Sequence, residues 1–146
     1  DSGDYIGAGQ TRFLTTTNGA IDARSGDKSA VYVNFEGQNA QYSIWCSLSM
    51  ATANDKTLQP GLYQNATRTP FKPNAGNGLE FTGESRGCNT LSGSFEIFEI
   101  TFVEANDQYG QPYQRVTKLA ADFIQHCEGG TAALRGKVRV NSDYPL

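Results

Sequence analysis

The sequence contains only three cysteines, one histidine, one methionine and one tryptophan. With no Cys-x-x-Cys pair and a single His, a zinc or redox motif has little support. No apolar run approaches the roughly 18–20 residues of a membrane-spanning helix. Positive charge is scarce as well: 12 Lys and Arg stand against 15 Asp and Glu, for a net charge of −3. The electrostatic footprint of a nucleic-acid binder is therefore missing. Gly-x-Ser-x-Gly, His-x-x-x-His and a phosphate loop are absent too, so no catalytic motif announces an enzyme.

What remains is a chain of 146 residues with 16 glycines and modest hydrophobic content. That length suits one domain, residues 1–146, with a real core. The composition suits short strands joined by turns better than a helical bundle. Residues 1–10 read as an irregular lead-in. Arg12–Thr17, Asn18-Gly19 and Ala20–Ala23 read as a hairpin, because Asn-Gly readily takes the positive φ angles of a tight turn. In the next strand Val31, Val33 and Phe35 share one face by the two-residue period. After a turn at Glu36-Gly37-Gln38-Asn39, the same period puts Tyr42, Ile44, Cys46, Leu48 and Met50 inward. It puts Ser43, Trp45, Ser47 and Ser49 outward.

Leu62-Tyr63 reads as a short extended piece, and residues 64–78 as a long irregular loop. In the apolar run Ser94–Val103 the alternation loses phase between Ile97 and Phe98, which calls for a β-bulge or for burial on both faces. Gln114–Cys127 returns as a strand with Leu119, Ala121, Phe123 and Cys127 on one face. A helix over Val116–Phe123 stays open on propensity alone. Thr131–Asn141 closes the chain with Leu134, Gly136, Val138 and Val140 inward. About nine such strands predict an all-β domain, a single antiparallel β-sandwich or jelly roll.

Three cysteines allow three single pairings and leave one thiol over. Cys88 and Cys127 sit at the ends of segments that chain proximity brings together, and this pairing is the expected one. A bridge there closes a loop of about 40 residues, stabilising the fold by roughly 4 kcal/mol through chain entropy. Cys46 is then a buried thiol. A bridge, together with a start at Asp1 rather than Met, favours a secreted or periplasmic protein. A reduced cytosolic protein with three unrelated thiols is the rival reading, and a trimmed chain would start at Asp1 as well.

The runs Gly87-Cys88-Asn89, Gly93-Ser94-Phe95, Asp122-Phe123, Gln125-His126-Cys127-Glu128-Gly129 and Leu134-Arg135-Gly136 resemble a recurrent pattern. It belongs to secreted bacterial β-rich domains without an assigned activity. Pro60-Gly61-Leu62-Tyr63, Ala66-Thr67-Arg68 and Pro70-Phe71 are similar to the same pattern. The resemblance covers about half the chain and implies a secreted β module in which Cys88 pairs with Cys127. It carries no catalytic residues, and Cys46 departs from it.

The expected function is a non-catalytic extracellular binding module for a polysaccharide or cell-surface glycan. Trp45 on a polar outer face could stack on sugar rings, with Tyr32 of the preceding strand near it; the rival reading covers both sheet faces and makes Trp45 core. Arg135, Lys137 and Arg139 alternate as a basic row that could meet an acidic polysaccharide; a solvated face guarding an edge strand is the plainer reading. The alternative function is a structural subunit of an extracellular filament or surface assembly, self-associating through sheet edges. An esterase-like or lyase-like enzyme is weaker, because His126 reads as a hydrogen-bonded structural residue. No cofactor or metal is expected: Ca²⁺ at Asn106-Asp107 or Glu128 lacks any ordered Asp-x-Asp-x-Asp spacing. Asn65-Ala66-Thr67 fits an N-glycosylation sequon.

Overall fold

The computed structural model describes residues 1–38 and 43–146. Eight strands follow in chain order: β1 (Gly19–Ser25), β2 (Ala30–Gln38), β3 (Ser43–Ala51), β4 (Gly61–Arg68), β5 (Gly78–Gly83), β6 (Leu91–Asn106), β7 (Pro112–Cys127) and β8 (Leu134–Val140). One short 3-10 turn, Ala53–Asp55, lies between β3 and β4. No helix is long and apolar enough to cross a membrane. The class is all-β, as expected.

All eight strands belong to one sheet, in the order β1-β2-β3-β5-β4-β6-β7-β8, with a further β1–β7 pairing. The two separate sheets of a sandwich or jelly roll are therefore not seen. Closure depends on the length of β7. One edge of its 16 residues serves β6, while the other serves β1 at Gln114 and Arg115 and β8 from Leu119 to Gln125. The sheet is also not purely antiparallel, because β4 and β5 run parallel over Thr67↔Gly78 and Arg68↔Leu79.

Period-two burial builds the interior. Val31, Val33, Leu48, Met50, Leu79, Phe95, Ile97, Leu119, Ala121 and Phe123 form one buried cluster. Each large apolar side chain there contributes about 1.5–3 kcal/mol relative to exposure. A smaller cluster joins Phe35, Ile44 and Cys46. The inward register of Ile44, Cys46, Leu48 and Met50 is as expected; Tyr42 and the turn residue Asn39 lie outside the described residues.

Four local expectations change. Asn18-Gly19 is not a tight hairpin turn. Asn18 ends a turn begun at Thr15, and Gly19 already pairs with Gly37 in β1–β2. Glycine is needed at both positions because a Cβ would overlap the Phe35 ring. Residues 11–15 accordingly form no strand. The extended piece at Leu62 runs on as β4 to Arg68, with a register shift between Tyr63 and Ala66 that Asn65 accommodates at φ 53°. Val116–Phe123 is strand throughout, because its neighbours β6 and β8 supply ladder partners that outweigh helix propensity. At Ile97/Glu99 the β6–β7 register slips by one residue, leaving Phe98 as the bulge that the broken alternation called for.

The Cys88–Cys127 disulfide is present, with Cα atoms 5.0 Å apart. Cys46 is the free, buried thiol.

Candidate functional site

Two outward surfaces carry the side chains singled out by the sequence, and they are separate. The first is the polar face of β1, β2, β3 and β5. Cross-strand pairing sets its rows: Arg24, Tyr32, Ser49 and Glu80; then Asp22, Asn34, Ser47 and Thr82; then Ala20, Glu36 and Trp45. Trp45 and Tyr32 are each 44% exposed. Ser49 is covered by Thr69, whose hydroxyl lies 2.9 Å from its own. Asn34, Ser47 and Thr82 remain as a partly open polar floor.

The hairpin does not place Tyr32 beside Trp45. Tyr32 faces Ser49, four residues along β3 from the tryptophan, a separation of about 13 Å at the strand rise. The two rings thus stand at opposite ends of this polar floor rather than in a single stack. At the far end of the Tyr32 row, Arg68 bonds Glu80 at 2.6 Å and lies 5.2 Å from the ring centre of the exposed Phe71.

Charges on this face are mostly committed. Arg24 bonds Asp22 (Nε to Oδ2, 2.7 Å), Arg68 bonds Glu80, and Arg12 pairs with Glu84. Glu36, directly across from Trp45, is exposed and has no ion-pair partner among the described residues.

The second surface is β8 with the adjoining part of β7. Each cation of its basic row faces a carboxylate, two carboxylates serving three cations. Arg135 meets Asp1 at 2.8 Å, and Lys137 and Arg139 share Asp122 at 3.8 and 2.9 Å. Arg139 also donates to the carbonyls of Ala121, Val138 and Pro145, and its guanidinium lies 5.6 Å from the Phe98 ring centre. Its role is to fasten the chain after β8. A shallow depression of about 290 Å³ lies over Phe123 and Gly136, walled by Asp122, Ile124, Arg135 and Lys137. Lys137 and Arg135 are exposed there, but each already faces a carboxylate.

The Gln125–Gly129 run folds into a lock around the disulfide. Gln125 is fully buried; its Oε1 accepts Phe81 N–H at 2.7 Å, and its Nε2 donates to Phe81 C=O at 3.0 Å and Cys88 Sγ at 3.2 Å. Beyond Leu79, β5 has no β4 partner, so this amide satisfies a strand edge from across the interior. Glu128 accepts the Asn89 N–H at 2.5 Å and the Thr90 hydroxyl at 3.1 Å. The Asn89 amide, foremost, holds its carboxyl below the usual glutamate value. Sequence reasoning missed Gln125. Its signal was available, since Gln125 shares the inward period of Phe123 and Cys127, and a polar side chain there must find partners.

His126 lies opposite Ser92 on β6, and its Nδ1 is buried without a hydrogen-bond partner among the described residues. Desolvation pushes the Cys46 thiol up to about 11. Among the described residues no three His, Cys, Asp or Glu side chains converge as a metal site would. Asp107 is occupied in accepting the Tyr109 and Gln111 amides, both at 2.8 Å.

Fold and surface together define an all-β domain of one returning sheet, with a polar outer face that carries exposed aromatic rings. The sequence matches no protein-family model, no curated protein and no solved structure.

Proposed function

We propose that the protein is a non-catalytic extracellular binding module whose ligand is a carbohydrate held on the face of β1, β2, β3 and β5. The observation that carries this reading is the exposure of Trp45 on a polar sheet face, where a large aromatic otherwise gains little. The indole and the Tyr32 ring would stack on apolar sugar faces about 13 Å apart, with Asn34, Ser47 and Thr82 between them for hydroxyl groups. That spacing favours an oligosaccharide over a single sugar. Secretion is supported by the disulfide, which persists in oxidising compartments. The basic row lies on the separate β7–β8 surface, where its three cations already face the carboxylates of Asp1 and Asp122.

Trp45 is the sole tryptophan, so its fluorescence reports this face directly. Titration with neutral, basic and acidic polysaccharides should give a saturable shift with one class, and Trp45→Ala should abolish calorimetric binding of that glycan. Absence of binding to every class would overturn the proposal.

One observation favours a second reading, a subunit of an extracellular assembly. From Glu99 to Asn106, β6 is paired on its β7 side only among the described residues, leaving an edge that could accept a strand of another copy. Size-exclusion chromatography and electron microscopy of the native material separate the two: filaments favour assembly, a monomer the binding module.

A further inference from the structure

We infer that Glu36 and Trp45 form a subsite for a protonated amine, so that the glycan is an amino-sugar polymer with free amino groups. The inference rests on the carbohydrate reading above and names its ligand class.

The argument is one of charge and register. Glu36 and Trp45 are direct cross-strand partners, which places their Cβ atoms about 5 Å apart on the same face. Both side chains are exposed. The other acidic groups around this face are matched, Asp22 by Arg24, Glu80 by Arg68 and Glu84 by Arg12. Glu36 is not, among the described residues, and the undescribed stretch Asn39-Ala40-Gln41-Tyr42 carries no charge to offer it. The uncompensated charge of the face is therefore negative and sits against the indole.

An aromatic face is itself the negative pole of a quadrupole. An acidic sugar stacked on Trp45 would meet the carboxylate and the ring together, two repulsive partners. A neutral sugar would stack and leave Glu36 to water. An ammonium group satisfies both, by ion pairing with Glu36 and by cation–π attraction to the indole. A lysine side chain of a protein offers the same ammonium. The open hydroxyl and amide groups of Ser47, Thr82 and Asn34 favour a sugar, whose other hydroxyls they can bond.

The test compares glucosamine oligomers, their N-acetylated counterparts and uronic-acid oligomers of equal length. Calorimetry is run in mildly acidic buffer that keeps the amines protonated. The glucosamine oligomer should bind about three- to ten-fold more tightly than the N-acetylated one, as expected of one exposed ion pair plus one cation–π contact. Added salt should shrink that advantage. Glu36→Gln should erase it, the glucosamine oligomer then binding no more tightly than the N-acetylated one. Glu36 is exposed, so an unaltered denaturation midpoint confirms that the variant folds.

Equal or tighter binding of N-acetylated or uronic oligomers would overturn the amine subsite while leaving the carbohydrate reading standing. Binding of a lysine-rich peptide but no sugar would overturn both, as would no binding at all.

Discussion

Replacing Gln125 with leucine removes the one side chain that completes β5. In the native protein its amide accepts from Phe81 N–H at 2.7 Å and donates to Phe81 C=O at 3.0 Å, within a fully buried position. Leucine has similar size, so no large cavity forms. The Phe81 amide and carbonyl lose their partners instead. An unmet polar group in the interior costs about 1–3 kcal/mol. Two of them cost about 2–6 kcal/mol, less about 1 kcal/mol regained from the more apolar side chain. A net loss of about 1–5 kcal/mol is a large share of the 5–15 kcal/mol typical of a domain. Equilibrium urea unfolding with the disulfide intact reads it as a drop in midpoint at constant slope, about 0.5–2.5 M for a slope near 2 kcal/mol/M. A loss below about 1 kcal/mol would refute the reasoning, because the Phe81 groups would then have other partners or water.

Two further predictions concern ionisable groups around the disulfide and the core. Glu128 has its carboxyl lowered from 4.5 by the Asn89 amide first and the Thr90 donors after it. A depressed native value stabilises the fold above the unfolded value and is lost as pH falls through the native one. Wild type should therefore lose stability below about pH 4.5 more steeply than Glu128→Gln, read from urea midpoints against pH; parallel curves would contradict the clamp. Cys46, with its thiol raised to about 11 by burial, should react with an aromatic disulfide reagent far more slowly in native than in denatured protein at about pH 8. Equal rates would mean that the thiol is open.

Much of the sheet was legible because its signals are local. The strict alternation of Val31, Val33 and Phe35, and of Ile44 through Met50, needs only one strand's own pleat to be read. The break at Ile97-Phe98 likewise left a bulge or burial on both faces, and the β6–β7 register slip decides for the bulge. What escaped depends on partners distant in the chain. Asn18-Gly19 has turn chemistry, yet Gly19 is needed for the approach of Phe35 sixteen positions on. The parallel β4–β5 contact and the β1–β7 closure follow from topology that no single segment encodes.

The candidate site was legible in the same uneven way. The outward register of Trp45 and Tyr32 follows from alternation within β3 and β2. Their separation depends on the pairing of Tyr32 with Ser49, which only the hairpin register decides. The basic row could be read on β8. Its carboxylate partners are Asp1 and Asp122, and Asp1 stands at the other end of the chain.

The central claim is that ligand binds on the Trp45 face. Amide chemical-shift mapping of the labelled protein with its best-binding glycan tests it most directly. The account predicts perturbations confined to Tyr32–Glu36 of β2, Trp45–Ser49 of β3 and the facing residues of β5, with β8 unmoved. Shifts centred on Arg135, Lys137 and Asp122 would contradict it and place the ligand in the β7–β8 depression instead.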